Sequence, residues 1–158
     1  MVHVDFELKR PYRDGFLFRL VEAADCAPLH RACYAERPFA EFEGMFRRSL
    51  KRQAGGQGYH LLVLDQGVIV GNAQLIRQGK RGEVADVVVT AARRNEGIGT
   101  VLIGLLEQIA AQKGWRPIEI GVTAENVRAQ ALYERLGYLT VREMKLPEGG
   151  TAMILQKE

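Results

Sequence analysis

Between residues 83 and 113 an apolar run, a polar loop with two glycines and a long amphipathic segment follow one another. Glu83 to Thr90 reads as a strand. Its end, Val87-Val88-Val89, is apolar on both faces, which predicts a central place in a sheet. Ala91 to Gly99 is the loop. Thr100 to Lys113 carries Leu102, Leu105, Leu106 and Ile109 at helical spacing, and Gly114 closes the segment. A strand that enters a helix through glycines makes an anion site. The first N–H groups of the helix have no intrahelical acceptor, and the helix dipole adds positive potential there. Gly97 and Gly99 lack Cβ atoms where a diphosphate must approach the backbone. Arg94 adds charge or braces the loop. A plain strand-to-helix turn fits the same glycine pair. The loop lacks the Gly-Lys-Ser/Thr of a P-loop and the first glycine of a G-x-G-x-x-G fingerprint.

The rest of the chain fits around that unit. Val2, Val4, Phe6 and Leu8 alternate with polar residues, as a strand with one buried face does. Pro11 and Asp14-Gly15 mark a turn, and Phe16 to Val21 reads as a second strand, giving an N-terminal hairpin. Ala24 to Arg37 is helical in pattern, with Leu29, Cys33 and Tyr34 on one face, until Pro38 breaks it. Phe39, Phe42, Phe46 and Leu50 recur at helical spacing opposite Arg47, Arg48, Lys51 and Arg52, and Gly55-Gly56 ends that helix. His60 to Leu64 and Val68 to Arg77 read as strands joined through Asp65-Gln66-Gly67. Ile118 to Val122 is a short buried strand, Asn126 to Leu136 a helix closed by Gly137, and Tyr138 to Lys145 and Thr151 to Gln156 the last two strands. The pattern predicts an α/β (α+β) domain spanning residues 1–158, a mixed sheet built around one right-handed crossover.

Composition narrows the function classes. The chain has 158 residues, enough to bury a sizeable core. No apolar run approaches the length of a spanning helix, and Met1 to Arg10 has no apolar signal core, so no membrane partner is expected. Cys26 and Cys33 read as free thiols in a reducing, cytoplasmic setting. The basic face at Arg47, Arg48, Lys51 and Arg52 is balanced by 19 acidic residues and has no aromatic platform, so no nucleic-acid partner is expected. No metal site is expected either.

Val89-Thr90-Ala91-Ala92-Arg93-Arg94-Asn95-Glu96-Gly97-Ile98-Gly99 resembles the hallmark of the GNAT superfamily of N-acetyltransferases: a central strand, Arg/Gln-x-x-Gly-x-Gly/Ala, then a long helix. Asn126, Ala129, Ala131, Leu132, Tyr133, Leu136, Gly137 and Tyr138 resemble the family's second motif, and Gly71 sits where its third strand often has glycine. The resemblance implies a three-layer fold with a central mixed, twisted sheet of about seven strands and about four flanking helices. The added N-terminal strand would extend that sheet or meet a second subunit in a homodimer. Asn95 and Glu96 depart from the family's usual Gly and Lys, which weakens the electrostatics of the loop more than its geometry.

The resemblance further implies an N-acetyltransferase in which a primary amine, small or peptidic, attacks acetyl-CoA directly within a ternary complex. Residues expected at the cofactor are Val87, Val88, Val89, Arg94, Asn95, Glu96, Gly97, Ile98, Gly99, Thr100, Asn126, Ala129 and Tyr133. A β-bulge within Val87 to Val89 would free a backbone N–H of Val88 or Val89 for the thioester oxygen. Tyr133 would protonate the departing thiolate, since a phenol with pKa of about 10 can hydrogen-bond a thiolate whose conjugate acid lies at about 8.5. Asn126 would bond the pantetheine arm or cap its helix. Asp86 or Glu83 would take a proton from the ammonium. Glu36, Glu41 and Glu43, around Pro38, would give the acceptor an acidic lid. A non-catalytic acyl-CoA sensor is the rival reading.

Overall fold

A computed structural model describes residues 12–158, so the strand expected over Val2 to Leu8 lies outside the described residues. Seven strands form one sheet: β1 (Phe16–Leu20), β2 (Gly58–Asp65), β3 (Val68–Gln78), β4 (Arg81–Val89), β5 (Ile118–Thr123), β6 (Leu139–Lys145) and β7 (Thr151–Lys157). Their spatial order is β1-β2-β3-β4-β5-β7-β6. Every pairing is antiparallel except β4 with β5, which the chain joins through helix α3 (Ile98–Lys113). Helices α1 (Cys26–Cys33), α2 (Phe39–Ala54) and α4 (Val127–Arg135) complete the mixed sheet flanked by helices that the sequence predicts.

β2 shows why the sheet needs cover on both sides. Leu61 and Val63 join Leu102, Leu106 and Ile109 of α3 in one core. Leu62 and Leu64 join Leu29 of α1 and Phe42 and Phe46 of α2 in the other. Each such fully buried side chain contributes about 1.5–3 kcal/mol. The α2 stripe is rotated from the expected one: Phe42, Phe46, Ser49 and Gln53 are buried, whereas Phe39 is 41% exposed. Under this layer runs a buried polar chain. Ser49 Oγ lies 3.0 Å from His60 Nδ1, His60 Nε2 lies 2.8 Å from Asn72 Oδ1, and Tyr34 donates to the same oxygen.

α1 ends at Cys33 rather than reaching Arg37. Arg37 precedes Pro38, and the proline ring disfavours a helical conformation in the residue before it. The chain instead makes a turn in which the Arg37 N–H bonds the Tyr34 carbonyl at 3.0 Å, and His30 Nε2 lies 2.7 Å from the Arg37 carbonyl oxygen.

The bulge in β4 is also displaced from the expected place. Asn72 pairs with Val88 and Gln74 with Ala85, so Asp86 and Val87 together oppose Ala73. Asp86 has φ 53°. Asp tolerates this left-handed conformation far better than a β-branched valine does, which moves the bulge one residue ahead of the valine run. Gly71 opposite Val89 has a packing reason: a Cβ there would come within 3.1 Å of Val63 Cγ1 and of the Val88 carbonyl. β4 and β5 pair only from Gly82 to Val84, and beyond Val84 they separate.

Candidate active site

The separation of β4 from β5 opens the sheet at the start of α3. Gly97 caps that helix at φ 83°, and Asn95 before it has φ 65°. Asn is among the few residues other than Gly that accept this region, so the departure at 95 preserves the loop geometry. α3 starts at Ile98, two residues earlier than expected, so the N–H groups of Ile98, Gly99 and Thr100 lie in the turn that has no intrahelical acceptor.

A cleft of about 520 Å³ faces this helix start. Of the residues expected at a cofactor, it is lined by Val87, Val89, Arg94, Asn95, Gly97, Ile98, Gly99, Thr100, Asn126, Ala129 and Tyr133. Val88 and Glu96 are not in its wall. Val88 pairs with Asn72 and packs against the α1–α2 core, as strand alternation requires. Glu96 turns away to brace the loop. Its carboxylate accepts from Arg93 at 3.0 and 3.2 Å and from Arg13 at 2.6 Å, and its carbonyl accepts from the Tyr12 hydroxyl. Arg93 also donates to Asp65 at 2.8 Å and lies over the Phe16 ring. The hydrogen bond from Arg93 chiefly, and Arg13 with it, holds the Glu96 carboxyl below its ordinary range. The unfavourable charge expected at position 96 is therefore neutralised by two arginines and ties the loop to the chain before β1.

The same wall contains four residues not expected at the cofactor: Arg93 and Leu132, which belong to the two motifs, and Arg128 and Arg135, which neither motif singled out. Arg128 and Arg135 are seven apart on α4 and so share a face, a signal present in the sequence. Arg128 Nη2 donates to Asn95 Oδ1 at 3.3 Å. Asn126 caps α4, accepting from the Ala129 N–H at 3.1 Å. Its oxygen makes the cap bond, and its amide nitrogen, which donates to no protein group among the described residues, can serve a ligand.

Behind this cleft, between the separated strands, is a second opening of about 270 Å³. Val87, Asn126, Ala129 and Tyr133 line both, and Asp86 lines only the second. Tyr133 is half-buried, and its hydroxyl has no protein partner among the described residues. Burial pushes its phenol above the ordinary value of 10.0. Backbone direction distinguishes the two expected N–H donors. The Thr90 N–H bonds the Val70 carbonyl on β3 at 2.9 Å. Strand N–H groups alternate sides, so Val88 also points toward β3 while Val89 points into the gap.

The two expected bases differ. Asp86 accepts from Gln74 Nε2 at 2.9 Å, and Gln74 is buried against Met45. Glu83 lines neither opening. It meets Gln78 at 3.5 Å, and burial raises its carboxyl. A third cleft, of about 320 Å³, adjoins the first through Val89 and Arg94 and is walled on its far side by Tyr34, Glu36 and Arg37. Of the expected acidic lid only Glu36 is there. Glu41 sits in the first turn of α2, and Glu43 pairs with Arg47 at 3.5 Å. Among the described residues no His, Cys, Asp and Glu are grouped to hold a metal ion, and no helix is long and apolar enough to cross a membrane.

Known proteins are similar to this chain in sequence or in fold. An acetyltransferase-class protein of Bacillus subtilis (strain 168) is 29% identical over 104 residues, 65% of this chain and 68% of its own. The mycothiol acetyltransferase of Nocardia farcinica is 34% identical over 56% of this chain, a match that spans only 28% of that larger protein. The solved structure of RimL, a ribosomal L7/L12 α-N-protein acetyltransferase in complex with coenzyme A, superposes with a TM-score of 0.78 at 14% identity, covering 93% of this chain and 96% of its own. The acetyltransferase (GNAT) family profile matches residues 22–138, from before α1 to the end of the second motif. The chain therefore belongs to the GNAT family of acetyltransferases.

Proposed function

We propose that this chain transfers the acetyl group of acetyl-CoA to a primary amine by direct attack in a ternary complex. One observation carries the reading: the α3 N-terminus, the inward N–H of Val89 and the Tyr133 hydroxyl, which has no partner among the described residues, converge on connected openings. The residues fit the donor. The Gly97 cap leaves open space where a Cβ would stand, the helix start favours a diphosphate, and Arg94, Arg128 and Arg135 add positive charge. Acetyl-CoA would supply an activated thioester carbonyl.

The chain's own groups then have separate roles. The Val89 N–H donates to the carbonyl oxygen as negative charge develops there. Asp86, oriented by Gln74, draws a proton from the ammonium directly or through water, because an alkylammonium has a pKa of about 10. The amine nitrogen bonds the carbonyl carbon and the C–S bond breaks. Tyr133, held protonated by burial, gives its proton to the sulfur and regains one from the nitrogen. Cys33 beside the third cleft is a poor nucleophile, since burial pushes its thiol up to about 11. That supports direct attack over an acyl-enzyme.

The test is release of CoA thiol from acetyl-CoA across a panel of amines, with thermal unfolding as a separate reading of binding. Acetyl-CoA is expected to raise the melting temperature, and at least one amine to release CoA. Binding without release by any amine would leave the sensor reading standing instead.

A further inference from the structure

We propose that the cleft beside Tyr34 to Arg37 takes an acceptor that carries a carboxylate as well as its amine, with Arg37 as the carboxylate contact. The inference rests on the transfer reading above and names the acceptor class for the same site.

The charge of this cleft is the reverse of the acidic lid expected from the sequence. Two guanidinium groups, Arg37 and Arg94, line it against one carboxylate, Glu36. Among the described residues neither arginine has a carboxylate partner. Arg94 lines both the donor cleft and this one, so the diphosphate competes for it. Arg37 lines this cleft alone.

Arg37 is also held in place. Its Cζ lies 5.5 Å over the Tyr34 ring, and that ring is buried and anchored by a hydrogen bond from its hydroxyl to Asn72. The Tyr34–Arg37 turn is closed by its backbone hydrogen bond and pinned by His30. A guanidinium already restrained loses less freedom when it binds, and its planar fork matches a carboxylate. A polyamine would bring several positive charges against Arg37 and Arg94 with only Glu36 to meet them. A carboxylate at Arg37 leaves the other end of a small acceptor directed toward Val89, which with Arg94 is shared between this cleft and the donor cleft.

The experiment compares matched pairs of acceptors, each amino acid against the amine left when its carboxylate is removed, by CoA-thiol release with saturating acetyl-CoA. The carboxylate-bearing member is expected to have a kcat/KM about tenfold higher or more. In Arg37→Gln that preference should fall to near parity through KM. Arg37→Lys should keep part of it, and the acetyl-CoA Kd should stay as in the parent. The carboxylate-free member winning every pair, or an undiminished preference in Arg37→Gln, would overturn the proposal. Absence of release with every amine would overturn the transfer reading instead. The carboxylate contact is then read by calorimetry of amino acids into the CoA-loaded protein. Binding weakened by Arg37→Gln upholds it, and equal or no binding in parent and variant overturns it.

Discussion

The cleft proposed for the donor and the cleft proposed for the acceptor meet at Val89 and Arg94, yet they are made from different material. The donor side is largely backbone: a left-handed Gly97, the unpaired N–H groups at the head of α3, and the N–H of Val89 released where β4 leaves β5. The acceptor side is side chain: Tyr34, Glu36 and Arg37 on a turn made where a proline stops α1. Backbone sites constrain glycine and spacing and so leave a pattern in the sequence. Side-chain sites depend on which charge arrives at a wall, and that is decided by tertiary placement.

The largest expected effect breaks the donor half. Gly99→Glu sets a carboxylate against the diphosphate at the helix start and should raise the acetyl-CoA Kd by about 100-fold, read by calorimetry, with the fold intact by circular dichroism. Tyr133→Phe should lower kcat by about 100-fold while changing the Kd for acetyl-CoA by less than about threefold. Matching losses in both would make Tyr133 a packing residue. Because burial raises the Tyr133 phenol, its proton is lost only as pH rises past the ordinary value of 10.0, so no fall in kcat from this group is expected below that pH. Replacing Arg128 and Arg135 together by Ala should weaken acetyl-CoA about tenfold at low salt and less at high salt. Such a salt dependence would locate charge recognition on the donor side.

The acceptor half rests on the α1–α2 layer, which makes a pH test informative. Burial lowers the His60 pKa, so the folded chain holds this imidazole neutral while the unfolded chain takes up a proton near pH 6.5. The unfolded state then binds more protons, and stability should decline as pH falls below about 6.5. In His60→Gln chemical denaturation should show that slope reduced. The smallest effect is expected at Glu36→Gln, an exposed group on the turn, with acceptor KM moving by no more than about threefold. A larger rise with cationic amines would show that Glu36 acts as an acidic lid.

The sequence made the β4–loop–α3 unit and the α4 motif legible because both are local. Gly97, Asn126 and Tyr133 lie where their spacing predicts, and the stripe of Leu102, Leu105, Leu106 and Ile109 is buried. What it did not make legible is what other strands decide. Glu96 reads as a charge beside a diphosphate, yet Arg93 and Arg13 turn it into a brace, and Arg13 is 83 residues away in sequence. Asp86 takes the bulge from the valines because it alone of the four tolerates φ 53°. Gln74, which orients Asp86, lies on a neighbouring strand, and no local pattern links the two. Arg37 looks like the end of a helix until the pre-proline turn sets it over Tyr34.

The most direct measurement of the central claim is an amide NMR titration with acetyl-CoA. Saturable shifts are expected to centre on Ile98, Gly99, Thr100 and Val89, with the Tyr34–Arg37 turn little moved until an acceptor is added. Saturable shifts centred elsewhere, or none at millimolar acetyl-CoA, would contradict that claim.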